Sequence, residues 1–267
     1  MSQQIRVAVI GAGVMGEALI ASLISSGIPA DLVTISEKRS ERCNELITTY
    51  GIKASDLAAN VKDADAVLLV VKPQDMAGVL EEIRGSVNQK AVIISFAAGK
   101  RIEFISQHLG TKNPVIRVMP NTATIVGSGM AAISLGEGVQ PQDKDFVIGF
   151  LAATGKVIEV PEELQDAVTA TSGSGPAYFF RFVEAMVAGA QELGLSADDA
   201  TTLTYQTIIG AAKLLETSGK SATTLRENVT SPNGTTAAAL TSFENDEIST
   251  IVARAMKAAR DRSQELA

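Results

Sequence analysis

Apolar, β-branched runs recur through the first 160 residues as IRVAVI, DLVTIS, AVLLVV, AVIISF, PVIRVM, GMAAIS and GKVIEV, and after Pro161 the pattern stops. The earlier runs alternate with helical patterns at 14–26, 39–50, 74–84 and 102–109. Strands apolar on both faces need cover on both sides, and a parallel sheet flanked by helices supplies it. Beyond Pro161 the chain reads as helices alone, at 165–170, 176–193, 198–216, 222–228, 235–244 and 246–265. The change of class predicts two domains, 1–160 and 161–267. No Gly/Ser-rich linker separates them, only the helix-start signal PEE at Pro161.

The first strand runs straight into GAGVMG, with glycines at 11, 13 and 16, and a helix follows at once. Gly11 permits a tight turn, Gly13 lets the backbone approach a pyrophosphate, and Gly16 lets helix and strand pack closely. The phosphates then sit on the helix N-terminus beside Val14 and Met15, where free N–H groups and the dipole favour an anion. The expected fold is therefore a Rossmann-type, doubly wound α/β domain with a mainly parallel sheet, followed by an all-α dimerisation domain. The second strand ends at Ser36, where NAD sites usually place an acid for the ribose 2′-hydroxyl. Ser36 has no charge to repel a 2′-phosphate, and Lys38 and Arg39 can pair with one, so NADPH is the expected cofactor. Glu37 leaves NADH open as the alternative. VVKPQ at 70–74 brings Val71, Lys72 and Pro73 to the carboxyl edge of the sheet, and FAAGK at 96–100 puts the small Ala97 and Ala98 where a nicotinamide ring needs room.

Composition narrows the remaining classes. A chain of 267 residues with 46% hydrophobic content can bury a full core. Its net charge of −7 and lack of a Lys/Arg cluster argue against nucleic acid. No apolar run reaches membrane-spanning length and no basic-apolar leader opens the chain, so a cytoplasmic protein is expected. Cys43 is the only cysteine, in a polar stretch without a paired histidine, and His108 is the only histidine, at a helix C-terminus. Neither a His-based triad nor a multi-His metal site can be assembled. The helices after 176 are too apolar for so small a domain to cover, which predicts a homodimer or higher homo-oligomer.

The remaining motifs are RVMPNTAT at 117–124, AVTATSGSGPAYFFRFVEAM at 167–186 and NVTSPNGTT at 228–236. Together with GAGVMG, VVKPQ and SFAAG, in this order and spacing, they make the whole chain resemble pyrroline-5-carboxylate reductase. Two positions depart from the family pattern: Ala123 stands where Pro is common, and Asn233 replaces the first Gly of SPGGTT. Asn tolerates a left-handed backbone better than most residues, so the turn can survive. The resemblance implies reduction of the cyclic imine of 1-pyrroline-5-carboxylate to L-proline by NAD(P)H. It also implies that Ser231, Gly234, Thr235 and Thr236 hold the substrate carboxylate, with Thr236 nearest the ring nitrogen and the one catalytic candidate. By the same resemblance Asn228 and Val229 approach the nicotinamide, Met119, Pro120 and Asn121 border the cleft, and the segment 172–178 supports the substrate loop.

Two rival readings remain. A β-hydroxyacid dehydrogenase has a similar plan and needs a catalytic lysine; Lys213 is the candidate, but Glu216 stands where that family has Asn. A non-enzymatic nucleotide sensor has no use for the SPNGTT anion site.

Overall fold

The computed structural model describes residues 5–266, so the extreme ends of the two expected domains, 1–4 and 267, lie outside the described residues. The chain forms two compact units, one of residues 1–174 with 259–267 and the other of 175–258.

In the first unit β1 (Val7–Ile10), β2 (Val33–Ser36), β3 (Lys53–Ala54), β4 (Ala66–Leu69), β5 (Val92–Ser95), β6 (Val115–Met119), β7 (Gly129–Leu135) and β8 (Gly155–Glu159) make one sheet. Its order is β3-β2-β1-β4-β5-β6-β7-β8. All neighbours are parallel except β6 and β7. The chain reverses its direction of travel across the sheet between β1 and β4, which opens a crevice at their carboxyl ends, where ligands of such sheets bind. The covering helices are α1 (Val14–Ser25), α2 (Ser40–Tyr50), α3 (Leu57–Lys62), α4 (Met76–Ile83), α5 (Ile102–Leu109), α6 (Pro141–Ala152) and α7 (Gln165–Val168).

The double cover is visible in β1 itself. Val7 and Val9 belong to one core with Leu19, Leu23, Leu46 and Phe150, whereas Ala8 and Ile10 belong to another with Val61, Leu80, Ile83 and Ile105. Successive strand residues point to opposite faces, so a continuously apolar strand requires these two cores. Truncating a fully buried leucine such as Leu68 in β4 should cost about 2–5 kcal/mol.

The sequence reading missed the two-residue strand β3 and the helices α3 and α6. Helix α6 begins at Pro141 behind a capping box in which Gln140 and Asp143 exchange bonds, but its apolar positions are spread around the helix rather than gathered into a stripe. Helix α3 is a short piece capped by Asp56, which accepts from the Ala59 N–H at 2.9 Å.

After α7 the helix widens over Thr169–Gly173 into a π turn, closed by the Ser174 N–H on the Thr169 carbonyl at 2.8 Å. The second unit holds α8 (Gly175–Glu192), α9 (Ala197–Thr217), α10 (Ala222–Asn228), α11 (Thr235–Asn245) and the start of α12 (Ile248–Glu265), whose last turns belong to the first unit. Helix α12 starts two residues later than expected because Glu247 takes a left-handed backbone, φ 55°. Among the described residues no helix is long and apolar enough to cross a membrane.

Candidate active site

The glycine loop is fixed by sterics. Gly11 sits at φ 89°, and a Cβ there would lie 2.7 Å from the Val70 carbonyl. A Cβ on Gly16 would strike the Gly11 carbonyl, while Gly13 has nothing within 4 Å. Close packing at 11 and 16 with open space at 13 leaves room for a pyrophosphate over the start of α1, and no side chain caps that helix. Val14, at the lip of the loop, is 68% exposed.

Charged side chains fix the same loop from outside. The Ala12 N–H donates to Glu37 Oε2 at 3.1 Å, and the Ala12 carbonyl accepts from Arg42 Nε at 3.0 Å. Arg42 also pairs with Glu17 and, at 2.8 Å, with Glu45, which together raise its pKa. Tyr50 donates to Glu17 at 3.2 Å. The Arg39 side chain, together with the Arg39 and Ala12 N–H groups, holds the Glu37 carboxyl well below its ordinary range, at about 2, against the opposing effect of burial.

At the ribose end the Ser36 hydroxyl donates to the Ser55 carbonyl at 3.1 Å and accepts from Asn60 at 2.9 Å, so its proton is already engaged. Lys38 is exposed, and Arg39 bonds Glu37 through Nε at 3.0 Å. Ser36, Glu37, Lys38, Arg39 and Ser55, with Gly11, Gly13, Val71 and Lys72, line a cavity of about 670 Å³. Its size suits a dinucleotide, and Lys38, Arg39 and Lys72 stand in it among the carboxylates of Glu37, Asp56, Asp75 and Glu82. Pro73 opens a short 3₁₀ turn after Lys72, and Ala97 is buried at the end of β5.

Met119 ends β6 and Pro120 follows it, and with Asn121 they line a smaller hollow of about 310 Å³ that includes Met15, Lys72, Phe96 and Gly173. A Cβ on Gly173 would meet the Met119 methyl, the far end of a flexible side chain that must swing aside to admit it. Asn121 is held by accepting from the Met130 N–H at 3.1 Å. Just upstream, Arg117 is only 2% exposed; it pairs with Glu162 at 3.3 Å and lies 3.8 Å from Asp166, which accepts from Ser263 at 2.7 Å. Burial lowers the Arg117 pKa, and the two carboxylates oppose that shift. The sequence reading passed over this network and the hold of Glu37 on Ala12. One signal was available: an arginine inside the otherwise apolar run PVIRVM.

In the second unit the loop 231–236 turns through Asn233 at φ 57°, the left-handed conformation foreseen for it. The Gly234 N–H donates to the Ser231 carbonyl at 3.0 Å, and Gly234 is the N-cap of α11 with no side-chain cap. Ser231 and Thr235 are exposed and Thr236 half-buried. The loop therefore presents backbone N–H groups and hydroxyls to an anion without any arginine. Asn228 ends α10 and Val229, 64% exposed, follows it. Lys213 is exposed and paired with Glu216 at 2.7 Å. Phe179, Phe180, Tyr205 and Ile209 of α8 and α9 line an open apolar groove of about 620 Å³.

Comparison with known proteins bears on both units. Residues 162–266 match the family model described as pyrroline-5-carboxylate reductase dimerisation, and residues 6–99 match that of NADP oxidoreductase, coenzyme F420-dependent. The pyrroline-5-carboxylate reductase of Pseudomonas aeruginosa is 39% identical over 98% of this chain and 97% of its own length. That of Mycobacterium tuberculosis is 37% identical over 98% and 96%. Among solved structures, the Coxiella burnetii pyrroline-5-carboxylate reductase superposes with a TM-score of 0.91 at 32% identity, covering 99% of each chain. The Plasmodium falciparum pyrroline carboxylate reductase with NADP bound gives 0.86 at 27% identity over 98% of each.

Proposed function

The chain belongs to the pyrroline-5-carboxylate reductase family and reduces 1-pyrroline-5-carboxylate to L-proline with NAD(P)H, the last step of proline biosynthesis; we propose that its loop 231–236 holds the substrate and its glycine loop 11–16 holds NADPH. The carrying observation is the start of α11, where Gly234 leaves the helix N–H groups uncapped beside the hydroxyls of Ser231, Thr235 and Thr236. A carboxylate is the anion such a site suits, and a small cyclic amino acid precursor carries one.

The bound nicotinamide supplies the hydride. The protein's share is positioning, because a cyclic imine is basic enough to enter protonated and its iminium carbon accepts hydride directly. As the hydride bonds to carbon, the C=N electron pair moves to nitrogen and leaves a neutral amine. Thr236 orients the ring nitrogen and donates a hydrogen bond as that lone pair forms; a threonine hydroxyl is too weak an acid to do more. Ser231, Gly234 and Thr235 hold the carboxylate, and Met119, Pro120 and Asn121 border the cleft.

On the cofactor side, Gly11, Gly13, Val14, Met15 and Gly16 receive the pyrophosphate, with Val71, Lys72, Pro73, Ala97, Ala98, Asn228 and Val229 contributing toward the rest of the nucleotide. NADPH is preferred over NADH because Lys38 and Arg39 can meet a 2′-phosphate beside the uncharged Ser36. The division at 160/161 lies at the start of the helical family match at 162, while the compact units part at 174/175. A second copy covers the apolar groove of α8 and α9, making a homodimer or higher homo-oligomer. The protein works in the cytoplasm on a small molecule, without nucleic acid or membrane partners.

Thr236→Ala tests the substrate assignment. The kcat/KM for the imine should fall about ten- to hundredfold, while NADPH affinity measured by fluorescence titration stays within about twofold. Unchanged imine reduction, or loss of nucleotide binding in parallel, would refute it.

A further inference from the structure

An acid at the end of the second strand of such a sheet is ordinarily free to accept the ribose 2′-hydroxyl, but the acid here is already engaged on both oxygens. Glu37 Oε2 accepts from the Ala12 N–H at 3.1 Å, and Oε1 accepts from the Arg39 N–H at 3.1 Å and from Arg39 Nε at 3.0 Å. The carboxylate side chain is 11% exposed and its arginine partner 63%. Its backbone is pinned too, since the Cys43 thiol donates to the Glu37 carbonyl at 3.4 Å and the Gly11 N–H to the Ser36 carbonyl at 2.9 Å. The pair therefore has a fixed end and a movable end, and the movable end lies at the rim of the nucleotide cavity.

We propose that Glu37 sets the choice between NADPH and NADH by competing with the ribose 2′-phosphate for Arg39. This rests on Arg39 as a partner of that phosphate. A 2′-phosphate draws the guanidinium off one oxygen of Glu37 and gains a charge-assisted bond at the expense of another, so the net preference for NADPH is smaller than a free arginine would give. When Arg39 moves away, the Ala12 bond still keeps Glu37 in place, so the glycine loop keeps its shape. With NADH the pair stays closed and Arg39 is not left facing an uncharged ribose. Glu37 thereby lowers the penalty for using the unphosphorylated nucleotide.

The test is a cycle of Glu37→Gln, Arg39→Gln and the double variant, with KM for NADPH and for NADH measured on each. Glutamine keeps the size of the side chain, and its amide oxygen can still accept from Ala12. The expected result is about a tenfold fall in KM for NADPH in Glu37→Gln, with NADH unchanged or weaker, and about a tenfold rise for NADPH in Arg39→Gln. In the double variant the gain from Glu37→Gln should vanish, because no arginine remains to be released. The same gain in both backgrounds would overturn the proposal, since Glu37 would then act by repelling the phosphate directly. A KM for NADPH that rises in Arg39→Gln and does not fall in Glu37→Gln would also overturn it while keeping Arg39 as the phosphate partner. An Arg39→Gln variant with unchanged KM for NADPH would overturn the assignment of Arg39 itself, and the proposal with it.

Discussion

The start of α1 and the start of α11 both offer free helix N–H groups to an anion, yet one is locked and the other stands open. At α1 the glycines at 11 and 16 have no room for a Cβ, and both polar groups of Ala12 are held by Glu37 and Arg42. At α11 the turn relies on Asn233 at φ 57° and one backbone bond from Gly234 to Ser231, with Ser231 and Thr235 in solvent. The first site is shaped before its ligand arrives, so its sequence tolerates little. The second has fewer steric demands, and an asparagine can stand where the family has glycine.

Gly16→Ala should break the comparison on the locked side. The new methyl meets the Gly11 carbonyl, the loop must shift, and NADPH affinity should fall about hundredfold by fluorescence titration with the fold retained by circular dichroism. Nucleotide affinity within a few-fold of the parent would show that the loop is softer than its packing implies.

A smaller effect sharpens the electrostatic half of the contrast. Glu37 has a folded pKa of about 2 against an ordinary 4.5, so its contribution to stability is fully present above about pH 4.5 and disappears as pH falls through about 2. The melting temperatures of the parent and Glu37→Gln should therefore differ most near neutral pH and converge in acid. A difference that stays constant down to pH 2 would mean that the carboxylate's charge is not what holds the pair.

The smallest effect belongs to the open side. Asn233→Gly relieves a left-handed non-glycine residue but loosens the unfolded chain, and these offset to within about 0.5 kcal/mol in urea unfolding. A loss of more than about 1.5 kcal/mol would show that the asparagine side chain makes the turn, contrary to the backbone account.

The same contrast explains what could be read before the fold was known. The glycine loop was legible because sterics force particular residues at particular spacings, and the inner strands were legible as apolar runs, whereas the two-residue exposed β3 carries no such run. Helix α6 was not, since PQDKDFVIGFLA spreads its apolar residues around the helix and carries its start signal in Gln140 and Asp143, an unusual capping pair. The Arg117, Glu162, Asp166 and Ser263 network was illegible for another reason: its members are far apart in sequence, and only the packing of β6, α7 and α12 brings them together. Glu37 was noticed as a residue that could serve NADH, but its bonds to Ala12 and Arg39 depend on where the glycine loop folds relative to the end of β2.

The most direct measurement is loss of reduced-nicotinamide absorbance with purified protein and 1-pyrroline-5-carboxylate, run in parallel with NADPH and NADH and followed by analysis for proline. The account predicts oxidation of either nucleotide coupled one-to-one to proline, with the lower KM for NADPH. Oxidation without proline, or none with either nucleotide, would contradict it and leave only the nucleotide fold and its locked loop standing.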